Sequence, residues 1–82
     1  MTKSYIEIIK FLLEKNRFVK TSEIQRFLEN KGLFTKSYTS NRRLLQKYLE
    51  NLEYEGYVVR RYPETKGRQS QEWKINSKSF PK

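Results

Sequence analysis

The sequence contains no cysteine and no histidine, and its nine acids are all glutamate because aspartate is missing too. Alanine is also absent, and there are only two prolines and three glycines in 82 residues. Each absence closes something. Without cysteine or histidine, a zinc finger, a thiol redox centre, a Ser–His triad and histidine acid–base catalysis are excluded. A disulfide-stapled secreted scaffold is excluded by the same count, although missing cysteine does not identify a compartment. Apolar runs stop at two or three residues, too short for a membrane span or a signal-peptide core. Chemistry built on carboxylates alone is compatible with the residues, but few enzymes fit so short a chain. The expectation is a binding protein with no catalytic residue, no metal and no cofactor. Eighty-two residues make one small domain that buries only about 60% of its unfolded surface. Aromatics, 15% of the chain, must therefore carry much of the core.

What is abundant is positive charge. Lysine and arginine number 18 against nine acids, a net charge of +9. Such an excess favours nucleic acid or an anionic membrane face, and the plain alternative is a solubilising surface. Its placement is more telling than its size. No acid lies between Glu29 and Glu50, whereas Lys31, Lys36, Arg42, Arg43 and Lys47 fall inside that gap. A second basic group, Arg60, Arg61, Lys66 and Arg68, is interrupted only by Glu64.

Periodicity organises the chain. Residues 3 to 15 place Tyr5, Ile8, Ile9, Leu12 and Leu13 on one helical face with Lys3, Glu7, Lys10 and Glu14 opposite. Phe18 and Val19 form a short extended stretch suited to a small edge strand. A second helix is expected over about 22 to 31, with Thr21 or Ser22 as N-cap and Ser22 and Gln25 at capping-box spacing. Gly32 supplies its left-handed C-cap and Leu33 the hydrophobic contact. A third helix, capped by Thr39 or Ser40, runs to about Glu55 with Leu45, Tyr48, Leu49 and Leu52 facing the core. Its other face reads Ser40, Arg43, Gln46, Lys47, Glu50 and Tyr54, basic in its first half and acidic in its second. Gly56 ends it. Tyr57 to Tyr62 and Gln71 to Asn76 read as two strands of a hairpin with a charged tip, and residues 77–82 as a loose tail.

This order of elements, over about residues 3 to 76, resembles the winged helix-turn-helix family. The most telling stretch is Leu49-Glu50-Asn51-Leu52-Glu53-Tyr54-Glu55-Gly56-Tyr57-Val58-Val59-Arg60-Arg61. It is similar to the end of the recognition helix and the start of the wing in small prokaryotic, archaeal and viral transcriptional regulators. Thr21-Ser22-Glu23-Ile24 is similar to the usual opening of the second helix. The resemblance implies an α+β domain over residues 1–76, three helices followed by a two-stranded β-hairpin wing, that binds double-stranded DNA. It places the third helix in the major groove with Ser40, Arg43, Gln46 and Lys47 as base-reading candidates. Thr21, Lys36, Thr39, Arg42, Arg60 and Arg61 become phosphate-contact candidates, and Lys66, Gly67 and Arg68 form the wing tip. Arg60 and Arg61 alternate along their strand, so at most one of them faces DNA directly.

Many members of the family bind inverted repeats as dimers, which would put a homodimer contact on the first helix or the tail. No small-molecule ligand and no membrane partner is implied. The expected location is the cytoplasm, at the nucleoid or in a host cell if the protein is viral. Two other readings stay open: an architectural or replication-associated protein with little sequence preference, and a winged-helix module that docks on protein.

Overall fold

The computed structural model describes residues 3–63 and 71–79. The elements are α1 (Lys3–Lys15), β1 (Val19–Lys20), α2 (Thr21–Asn30), α3 (Tyr38–Tyr54), β2 (Val58–Arg61) and β3 (Glu72–Ile75). Together they make a small α+β domain of three helices and a three-stranded antiparallel sheet in the order β1-β3-β2. The expected two-stranded hairpin is therefore incomplete. The extended stretch after α1 joins the sheet on the far side of β3, with Val19 opposite Trp73 and Lys20 opposite Glu72. On the other side Val58 faces Ile75 and Arg60 faces Trp73. Two residues suffice for β1 because Val19 is fully buried against the same core as Trp73.

The apolar faces behave as their periods require. Ile8 and Leu12 of α1, Ile24 and Leu28 of α2, and Leu45 and Leu49 of α3 are completely buried around Trp73. Tyr5 packs its ring 4.6 Å from Tyr48, and Phe11 stacks on Phe27 at 4.4 Å. Rings thus join α1 to α3 and α1 to α2.

Helix ends follow two patterns. Gly32 has φ +75°, its amide donates to Glu29 O and the amide of Leu33 donates to Leu28 O, both at 3.0 Å. The same double closure recurs at Gly56, φ +86°, where the amides of Gly56 and Tyr57 reach Glu53 O and Leu52 O. These left-handed caps satisfy carbonyls that the last turn leaves free.

The N-termini depart from expectation. Lys20 occupies the N-cap position of α2 with no side-chain cap, so neither Thr21 nor Ser22 serves there. Thr21 instead turns its hydroxyl inward. It accepts from the indole Nε1 of Trp73 at 2.8 Å and donates to the carbonyl of Gln71 at 3.2 Å. A fully buried indole N–H without a partner costs more than a missing cap, which solvent can replace. Helix α3 starts earlier than Thr39 or Ser40. Ser37 caps it, and its hydroxyl accepts from the amide of Ser40 at 3.3 Å. Beyond β3 the chain turns back over residues 77–79, and Ser79 Oγ donates to Gly56 O at 2.7 Å.

Candidate nucleic-acid interface

The start of α2, the first three turns of α3 and the residue that leads into β3 enclose an open groove of about 840 Å³. Lys20, Arg42, Arg43 and Lys47 bring positive charge to it, and Glu50 is the one acid among its lining residues. Four acids elsewhere are paired: Glu7 with Lys10 and Lys31, Glu23 with Arg17, Glu53 with Arg60, and Glu72 with Arg61. Among the described residues, Lys20, Arg43 and Lys47 have no acid within ion-pair distance. Lys3, Lys15, Arg26, Lys36, Lys74 and Lys78 are likewise outside ion pairs among the described residues, but the groove gathers four cations against one acid in a single concave surface.

Beneath it runs a polar network that ties α2 to α3. Gln25 is only 1% exposed. Its Nε2 donates to Glu29 Oε2 at 3.0 Å and to the carbonyl of Tyr38 at 3.2 Å, and its Oε1 accepts from Arg42 Nε at 2.6 Å. Both amide hydrogens and the carbonyl oxygen are thus engaged, which fixes the orientation of the side chain. Arg42 also donates from Nη2 to the Tyr38 hydroxyl at 2.8 Å. Its guanidinium is held at the groove wall by one partner from each helix.

Asn41, 3% exposed, organises the α2–α3 connection. Its Nδ2 donates to Glu29 Oε2 and to the carbonyl of Lys36, while its Oδ1 accepts from the amide of Lys36. Hydrogen bonds from Asn41 and Gln25, with the charge of Arg42 and Arg26 adding, hold the Glu29 carboxyl below its ordinary 4.5.

Gln71 closes the groove on the third side. Its backbone carbonyl receives the Thr21 amide and hydroxyl, and its Oε1 accepts from Gln46 Nε2 at 2.9 Å. Gln46 Nε2 also donates to Glu50 Oε2 at 3.0 Å. Sheet, α2 and α3 therefore meet at one residue.

The residues singled out in the sequence divide four ways. Thr21, Thr39, Arg42, Arg43, Gln46 and Lys47 line the groove together. The Thr21 hydroxyl and amide hydrogens are both donated to the Gln71 carbonyl. Lys36 and Ser40 are exposed nearby, Lys36 on the α2–α3 connection and Ser40 bonded to the Ser37 hydroxyl. Arg60 and Arg61 are engaged in the fold. Arg60 forms a two-point bridge to Glu53, Nη2 to Oε1 at 2.6 Å and Nε to Oε2 at 3.2 Å, with its guanidinium 4.9 Å from the Trp73 ring. That bridge raises its pKa above the ordinary arginine value, despite partial burial. Arg61 pairs with Glu72 across the strands and lies 4.1 Å over the Phe18 ring. Lys66, Gly67 and Arg68 lie outside the described residues.

Sequence reasoning missed Gln25, Glu29, Asn41 and Gln71. A signal existed for two of them. Gln25 follows Ile24 and precedes Leu28 by three, and Asn41 precedes Leu45 by four, so both stand on faces that the helical period assigns to the interior. A polar amide on a buried face must find partners, and here those partners are the groove-forming residues.

Among the described residues no group of three or more His, Cys, Asp or Glu is placed to hold a metal ion, and no helix is long and apolar enough to cross a membrane. Comparison with family models, curated proteins and solved structures finds no match.

Proposed function

We propose that this chain is a winged helix-turn-helix protein that binds double-stranded DNA sequence-specifically and regulates transcription by occupying its site, without catalysis. One observation carries the reading. The uncompensated cations Lys20, Arg43 and Lys47 and the anchored Arg42 converge on a groove built from the first turns of α3. At 17 residues, α3 is about 25 Å long and fits lengthwise in a major groove about 12 Å wide. Its exposed first half offers Arg43 to a base edge, and Arg can bind guanine through two hydrogen bonds. Lys47, Lys20 and Arg42 meet phosphates. The start of α2 supports a further phosphate contact, because no side chain caps it and, beyond the Thr21 amide that Gln71 takes, its first-turn amides lie beside Lys20. A homodimer would use α1, where Ile6 and Leu13 stand exposed two turns apart. In this reading the β2–β3 hairpin is the wing.

Selection from a pool of random duplexes at about 50 and 200 mM salt tests the proposal. A motif enriched at the higher salt supports a specific regulator, and a palindromic motif supports the dimer. Retention without enrichment, lost as salt rises, supports the architectural alternative. No retention at either salt refutes DNA binding. On an enriched site, Arg43→Ala should cost about 1–3 kcal/mol and relax preference at one base position. Uniform weakening on all sequences would assign Arg43 to the phosphates.

A further inference from the structure

Glu50 is an acid in a surface that otherwise gathers cations. It lies one turn beyond Gln46 on the groove face of α3, with 52% of its side chain exposed. Gln46 Nε2 donates one hydrogen to Glu50 Oε2 at 3.0 Å and the other to Gln71 Oε1 at 2.9 Å. Arg60 Nη1 stands 4.0 Å from the same carboxylate oxygen and opposes its swinging away. Both donors of Gln46 are therefore committed, and the hydrogen-bonding capacity left to the pair is that of acceptor oxygens, Gln46 Oε1 and the carboxylate.

A base edge facing two acceptors must offer a donor. In the major groove guanine shows only acceptors and thymine an acceptor beside a methyl, so both are disfavoured. Adenine has an amine, but its N7 acceptor lies next to it. Reading that edge through two bonds needs a glutamine donor, and Gln46 has none free. Cytosine presents its amine without a neighbouring acceptor. The geometry points to Glu50, positioned by Gln46, as a specificity-determining residue that selects a cytosine amine and opposes association through phosphates alone. The inference rests on the DNA-binding reading above and names the base that reading leaves open.

The two roles give effects of opposite sign, which a structural role would not. The test uses the duplex selected from the random pool, the same duplex with each cytosine replaced in turn by thymine, and a random-sequence duplex. Affinities are measured for the wild type, Glu50→Gln and Glu50→Asp, with thermal unfolding as the check on folding. Glu50→Gln should bind the random duplex about 3-fold tighter or more, because a negative charge leaves the phosphate-facing surface. At one position it should shrink the cytosine-over-thymine preference by about 5- to 150-fold. Glu50→Asp keeps the charge but withdraws it by one methylene. It should narrow the same preference while tightening random-duplex binding by less than Glu50→Gln does. Equal tightening on every duplex, with the preference intact, would overturn the cytosine role and leave DNA binding standing. A selected core of A·T pairs alone would also overturn it. Failure of the wild type to bind any duplex would overturn both readings together.

Discussion

Replacing Gln25 with methionine removes one side chain's polarity while nearly keeping its volume, and the structure sets what should follow. Gln25 is 1% exposed and makes three hydrogen bonds, to Glu29, Tyr38 and Arg42. A bond to a charged partner contributes about 1.5–3 kcal/mol. Arg42 and Glu29 lie at a surface where water recovers part of that, and the methionine thioether adds packing, so the net loss is about 2 kcal/mol. A domain of this size has roughly 4–12 kcal/mol in total. The melting temperature should therefore fall by about 8–16 °C. Urea unfolding followed by far-UV circular dichroism measures the change as a lower midpoint at constant slope. Binding carries a second readout. On the proposed DNA-binding reading, Arg42 keeps its charge but loses its orientation, so duplex affinity should drop several-fold with the salt dependence unaltered. A loss below about 0.5 kcal/mol, the range of ordinary surface changes, would show that the network is not what joins α2 to α3.

Thr21→Val keeps shape and leaves the buried Trp73 indole N–H without an acceptor, so it should cost about 2 kcal/mol in urea unfolding, and much less in a Trp73→Phe background. Equal costs in both backgrounds would take the hydroxyl–indole bond out of the account. Gly32→Ala meets no atom within 4 Å but places a side chain at φ +75°, so the penalty should be backbone strain alone, about 1 kcal/mol. A neutral result would show that the α2 C-cap relaxes to another conformation. Glu29 has a lowered folded pKa, so its contribution is complete above the ordinary 4.5 and disappears as pH falls through the folded value. Glu29→Gln should therefore be less stable than wild type near neutrality and lose less as the pH falls below the ordinary 4.5. Parallel acid profiles would place the wild type's acid sensitivity at another carboxylate.

Periodic elements were legible because period and burial are linked by geometry. The bounds of α1 and the left-handed closures at Gly32 and Gly56 follow from spacing and from the one residue type that adopts positive φ freely. The third strand was legible only as a possibility. Two residues show no alternation, and β1 exists because Val19 meets Trp73, 54 positions away. The N-caps were misread for a related reason. Threonine and serine before a helix are good local caps, but at Thr21 a buried indole competes for the hydroxyl, and that competitor cannot be seen locally. Of the candidate site, the charges of α3 were legible and their settings were not. Nothing in the sequence distinguishes Arg43, which has no ion-pair partner among the described residues, from Arg42, which is locked to Gln25, or from Arg60, which is locked to Glu53.

That distinction decides what mutations of the groove can report. Arg42, Gln46 and Gln71 hold the fold and line the groove at once, through bonds that link α2, α3 and β3. Substituting any of them changes stability and the shape of the surface together, and a loss of binding would not separate the two. Lys20, Arg43 and Lys47 are exposed and have no ion-pair partner among the described residues. Removing one subtracts charge from the groove while leaving the scaffold's hydrogen bonds in place, so its stability cost should stay within about 0.5 kcal/mol. For a duplex partner, these three positions measure the interface, and the locked residues measure how rigidly the fold presents it. Neutralising Lys20 or Lys47 should flatten the salt dependence by about one unit, because one phosphate then keeps its counterion. Disorder introduced at Gln25 should leave that slope alone, because no charge has been removed.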